Sequence, residues 1–310
     1  MRLFAALILS LVAVGARAQE LTAADIMSRV AANQDRSEAA RTHYVYVQHA
    51  RTLSRQGKTI HCEEVTDIRI IPTDKGSEQK LLTLDGRLLY KGKYLHYTHL
   101  PSSNVPMKEG ASHPDQAKDS PSSANQTKDN DEPDIGDDDP MDLDLVENMR
   151  NNLTANRSKD GIGAGLFPLT TKVQAEYAYT LVGRGAMDGR DCYHVTFVPR
   201  DKDDFGWKGD AWIDTKAFEP VLVHTRMSRN IPFAVRTLLG TSVPGLGFTV
   251  TYAPEPTDSP DAIWFPVTFG TEFNLHVLFF FNRAIVLDVR NRDFEQTHVH
   301  STIRDAATGP

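Results

Sequence analysis

The stretch "HVLFFFNRAIVLDV", residues 276–289, sets the problem that the fold has to solve. A half-buried strand alternates apolar and polar residues, because successive side chains point to opposite faces of a sheet. Here Val277, Phe279 and Phe281 would face one way and Leu278 and Phe280 the other, so both faces are apolar. Such a strand needs cover on both sides. A curled antiparallel sheet whose concave face is closed over by helices supplies it.

The sequence upstream fits that architecture. Short runs such as "YVYVQ" (44–48), "KTIHCEEVTDIRIIP" (58–72), "QKLLTL" (79–84) and "RLLYKGKYLHYTHL" (87–100) are separated by Gly, Asp and Lys. Asp85-Gly86 and Lys91-Gly92-Lys93 read as hairpin corners. The pattern resumes with "QAEYAYTLVGRGAMDGRDCYHVTFVPR" (174–200), turning at Asp188-Gly189, and continues through 209–228, 247–254 and 262–273. Helices are few. Thr22 with Asp25 three residues on opens one, with Ala23, Ile26, Met27 and Val30 on one stripe. Pro140 starts a second, with Leu143, Val146 and Met149 on one face. A dozen or so short strands with two helices predict a mainly β, incomplete barrel with a few lidding helices.

The first residues, "MRLFAALILSLVAVGARAQE", combine Arg2, an apolar run from Leu3 to Val14, and Ala16-Arg17-Ala18. They read as a secretory signal peptide (1–18) cleaved after Ala18, which predicts a periplasmic protein. The chain carries a formal charge of −7, and loss of Arg2 and Arg17 would make it −9. An acidic exported chain has no electrostatic case for nucleic acid. Residues 101–140 hold three lysines against ten acids, no aromatics and many Pro and Ser. That composition predicts a disordered acidic insertion in a single β domain spanning 19–310. Cys62 and Cys192, in a compartment that permits disulfides, predict a bridge that would contribute about 4 to 5 kcal/mol in the chain-entropy model; two buried free thiols are the alternative.

Catalytic and metal motifs are missing from the sequence. There is no G-x-S-x-G, H-E-x-x-H, C-x-x-C or P-loop, and "GIGAG" (161–165) neither follows a strand nor opens a helix. His96, His99, His298 and His300 lack supporting ligand spacing for zinc, and the acids from Asp129 to Asp139 lack EF-hand spacing. No cofactor and no catalytic residue is expected. The surplus lies in apolar side chains. Trp212, Trp264, Phe279 and Phe281, together with Phe233, Leu238, Leu239, Leu246 and Phe248 around the 231–247 segment, are the candidate lining of an apolar cavity or its lid.

The order of signal peptide, amphipathic helix and long antiparallel strand run resembles the LolA/LolB-like family of periplasmic lipoprotein carriers. The most specific piece is "AWIDTKAFEPVLVHTRMS" (211–228), in which Trp212, Ile213, Asp214 and Pro220 match the family's W-I-D-x-x-x-x-x-P turn. The resemblance implies an open barrel of about eleven strands whose helices lid a cavity for acyl chains. Lipid or lipoprotein acyl chains are then the expected ligands, without catalysis and without a transmembrane anchor. Envelope proteins are the partners of an alternative reading, in which a filled core supports a stress-sensing or interaction protein that docks through residues 231–247. A hydrolase assembled from scattered Asp and His is a third.

Overall fold

The computed structural model describes residues 21–73, 76–99, 141–154, 168–201, 206–227, 241–242, 246–255, 262–277 and 281–297. The expected signal peptide and the acidic insertion lie outside them. The elements in order are α1 (Ala23–Arg41), β1 (Tyr44–Gln56), β2 (Thr59–Thr73), β3 (Gly76–Tyr90), β4 (Lys93–Tyr97), α2 (Met141–Thr154), α3 (Thr171–Gln174), β5 (Tyr177–Met187), β6 (Arg190–Pro199), β7 (Trp207–Asp214), β8 (Pro220–Met227), β9 (Thr241–Ser242), β10 (Gly247–Glu255), β11 (Ile263–Val277) and β12 (Phe281–Gln296).

All the strands join one antiparallel sheet in the order β4-β3-β2-β1-β12-β11-β10-β8-β7-β6-β5, with β9 attached to β11. The sheet is open, with β4 and β5 at its edges. β12 links the strands before residues 101–140 to those after them, because it pairs with β1 on one side and β11 on the other. This is the mainly β, unclosed architecture that the sequence predicts.

Alternation then sorts the side chains. On β12, Phe281, Ile285, Leu287 and Val289 are buried, whereas Asn282, Asp288 and Arg290 are exposed. Leu278–Phe280 lie outside the described residues; in the rest of the opening stretch half-buried Val286 meets buried Leu53 of β1. Helix α1 covers one half of the inner face. Its Thr22–Asp25 capping box closes in both directions, and Ile26, Met27 and Val30 are at most 1% exposed against Val195, Phe197, Ala211, Ile213 and Val223. Each such side chain contributes on the order of 2 kcal/mol by leaving water. Helix α2 covers the other half, seating Leu143 and Val146 on Cys62, Leu84 and Leu88.

Two sequence expectations are corrected here. Lys91-Gly92 and Asp188-Gly189 do turn hairpins, both residues of each pair having positive φ, but Asp85-Gly86 does not. It lies within β3, where Gly86 faces Tyr97 of β4. A Cβ on Gly86 would sit 2.2 Å from the Tyr97 ring, so this glycine makes room for an aromatic rather than bending the chain. The expected disulfide is also not formed, since Cys62 and Cys192 are free. Cys62 is buried beneath α2 and Cys192 in the α1 cluster, on β2 and β6, which are seven steps apart in strand order.

Substitution of Gly86 by Ala should therefore lower stability by about 1 to 3 kcal/mol through overpacking, read as a lower urea midpoint at unchanged slope.

Candidate functional site

Among the described residues α1 packs on the half of the inner face that runs from β5 to β11, and α2 packs on β1, β2 and β3. The rings of Trp207 on β7, Phe248 on β10 and Phe269 on β11 form a row, each 5.1 Å from the next. All three are half-buried. Phe269 is where the two halves meet, since it packs against the α1 cluster and also against Ala50, Leu287 and Val289 with Met149 of α2. The result is an apolar trough on the inner face, floored by these rings and joined at Phe269 to both helix-covered clusters.

The helices are attached by different chemistry. The C-terminal half of α1 is clamped to the β7–β8 turn, the W-I-D-x-x-x-x-x-P segment. Asp214 Oδ1 accepts hydrogen bonds at 2.8 Å from the amides of both Lys216 and Ala217, and Pro220 begins β8, as the sequence reading expected. The turn so formed offers the carbonyls of Ala217 and Phe218 to Asn33 Nδ2. It also presents the buried Glu219, whose carboxylate accepts from Gln34 Nε2 and from Ser37 Oγ. Burial pushes the Glu219 carboxyl up to about 7, against the lowering pull of those two hydrogen bonds and of Arg41 and Arg36.

Helix α2 is held instead by two buried ionic clusters. At its start Asp142 receives Arg283 Nε and Nη2 at 2.7 and 2.9 Å and Ser54 Oγ at 2.5 Å. Two turns later Arg150 pairs with Glu64, whose other oxygen accepts from Tyr97 Oη at 3.0 Å. Glu64 is 1% exposed and Arg150 7%, so each is a charge that depends on its partner. The two pairs have opposite polarity along the helix, which fixes its direction and register on the sheet. Neither cluster was visible in the sequence, because Glu64–Arg150 and Asp142–Arg283 become neighbours only through the sheet pairing.

The sequence-predicted lining residues are distributed unevenly. Phe248 lies in the trough, and half-buried Leu246 precedes it with its carbonyl accepting from the Met227 amide. Trp264 is 5% exposed within the α1 cluster, its carbonyl bonded by Arg41. Phe281 is buried at the start of β12 under the Arg283 guanidinium. Trp212 projects from the face opposite to Ala211 and Ile213 and stacks on His194 at 4.3 Å, so the trough does not include it. Phe233, Leu238, Leu239 and Phe279 lie outside the described residues. The trough residues missed as lining are Trp207 and Phe269, whose signal was present in the alternation of β7 and β11.

A polar cleft of about 430 Å³ lies elsewhere, between the β5–β6 and β7–β8 turns, lined by Asp188, Arg190, Asp191, Asp214 and Lys216. Two of its acids are committed to structure: Asp214 forms the turn and pairs with Arg190, and Asp191 accepts from Thr215 Oγ1. Among the described residues no helix is long and apolar enough to cross a membrane.

No protein-family model matches the chain, and no curated protein does. Solved structures show a loose likeness to it along most of the chain. A domain named for outer membrane lipoprotein sorting from Vibrio parahaemolyticus covers 89% of this chain and 94% of its own at 11% identity, with a TM-score of 0.35. A DUF1329 family protein from Desulfovibrio piger covers the same shares at 10% identity and a TM-score of 0.37. A LolA superfamily protein from Nitrosomonas europaea covers 90% and 96% at 11% identity, with a TM-score of 0.33. Superpositions this loose fix neither residue correspondence nor activity.

Because Glu219 holds its proton more tightly when folded than when unfolded, its contribution to stability is complete below about pH 4.5 and is lost as pH rises through about 7. A rise across that window should cost the wild type on the order of 3 kcal/mol relative to Glu219→Gln. Urea unfolding of the two proteins in parallel across pH measures the difference.

Proposed function

We propose that the protein is an exported, non-enzymatic carrier that receives an acyl chain of a lipid or lipoprotein in the trough between α1 and α2. The observation that carries this reading is the half-buried aromatic row Trp207, Phe248 and Phe269. The closed core buries Phe197 and Phe265 to 1% and 0% exposure, whereas these three rings stay partly open. Rings left partly open on a concave face, between two separately attached helices, suit an apolar chain that enters and leaves. The resemblance of the W-I-D-x-x-x-x-x-P turn to lipoprotein carriers supports the same reading, as does the leader-like sequence of residues 1–18, which puts the activity in the periplasm. In this reading residues 19–310 act as one domain, with 101–140 as an accessory insertion.

The test is uptake of a fluorescent long-chain fatty acid. The wild type should bind it with saturation. Phe269→Trp, which fills the floor of the trough, should weaken binding at least tenfold with a melting temperature within a few degrees of wild type. If the trough is a filled core, the same change overpacks it by about 1 to 3 kcal/mol and there is no binding to lose. A wild type that takes up no probe contradicts the carrier reading.

A further inference from the structure

Strand β5 forms one edge of the sheet, and among the described residues nothing pairs with its outer side. Edge strands present unpaired amides and carbonyls, and folded proteins guard them with charges, proline or short length. The rest of this sheet's perimeter follows that rule. β4 is only five residues long and exposes Lys93 and His96, and the part of β3 beyond it carries Glu78, Lys80 and Asp85. β5 has neither protection. It runs for eleven residues, "YAYTLVGRGAM", with Arg184 as its one charged residue. Arg184 does not guard the edge, because its guanidinium folds back over the Tyr193 ring at 4.5 Å and donates to Tyr193 Oη.

The same edge carries exposed apolar surface. A bulge between Leu181 and Gly183 frees Val182 from its pairing with β6. Val182 is 58% exposed and Val198, opposite Ala178 on β6, is 49% exposed, the highest values among the large hydrophobic residues of the described chain. A bulge usually twists an edge away from partners. This one instead offers the most exposed apolar side chain at the middle of the strand.

We infer that β5 is a self-association edge, on which a second copy of this chain pairs antiparallel about a two-fold axis at Val182. A two-fold contact is isologous and closes at the dimer. With the axis at Val182, Arg184 falls opposite Thr180 of the second copy, so the one charge does not meet its like. Gly183 and Gly185 add no side-chain bulk to the approach. Head-to-tail growth is blocked because β4, the other edge, is too short and too charged to receive β5. One added strand pair buries less than the roughly 1,000 Å² expected of a stable interface, so the dimer is reversible and concentration-dependent. The contact is independent of the trough.

The test uses the full chain. Sedimentation velocity over a concentration series should show a monomer–dimer equilibrium, and Val182→Lys, which sets two like charges at the axis, should weaken it at least tenfold. Under mild oxidation Val182→Cys should form a covalent dimer at least tenfold faster than Lys58→Cys, an exposed site on a distant hairpin. The native thiols add little background, since burial pushes Cys62 up to about 12 and Cys192 up to about 11. Val182 and Lys58 are exposed, so the variants should melt with wild type. A protein that stays monomeric throughout, or a Val182→Cys chain that crosslinks no faster than Lys58→Cys, overturns the inference.

Discussion

The structure depends on one constraint: a single antiparallel sheet directs one side-chain set of nearly every strand to the same concave face, and that face must be kept from water. The sheet is open, so it cannot close on itself. Among the described residues two long helices cover it, and each reaches only one half. Everything distinctive in the molecule follows from that shortfall. The halves under α1 and α2 become separate clusters, and the half-buried Phe269 at the end of the aromatic row is the ring that touches both.

The two attachments differ in what would be lost if they opened. Helix α1 inserts apolar side chains into a sheet floor and adds the buried Glu219 contact, so its removal exposes a large part of the core. Helix α2 contributes fewer apolar anchors and is located by Asp142–Arg283 and Arg150–Glu64. Buried ion pairs of this type set direction and register more than they add net stability, because desolvation offsets much of the attraction. On the carrier reading, a chain-sized ligand would displace packing chiefly at Met149 and Phe269, where the two clusters meet. This division of labour between a fixed helix and an electrostatically registered one is the physical content of the carrier reading.

Much of the architecture was legible in the sequence because it rests on local signals. The Thr22–Asp25 cap, the Ile26, Met27, Val30 stripe, the Lys91-Gly92 and Asp188-Gly189 turns and the Asp214–Pro220 segment each need only neighbouring residues to be understood. What was not legible needed long-range pairing. Asp85-Gly86 has the composition of a turn, but Gly86 answers to Tyr97 across a hairpin, so a steric requirement was mistaken for a conformational one. Cys62 and Cys192 suited a bridge by count and compartment, yet strand order assigns them to different clusters. Trp212 was singled out for size, whereas its parity on β7 sends it to the outer face; Trp207, with the opposite parity, reaches the trough. The ionic clusters under α2 join residues more than eighty positions apart, and only the register of β1, β2 and β12 brings them together.

The central claim is that the trough holds an apolar chain in the protein's working state. Native mass spectrometry of the protein purified from its own cell envelope tests this most directly. The account predicts a species heavier than the polypeptide by the mass of an acyl lipid or lipoprotein, released on mild activation. A polypeptide that flies without any acyl adduct, alone or with only a stoichiometric protein partner, would contradict it.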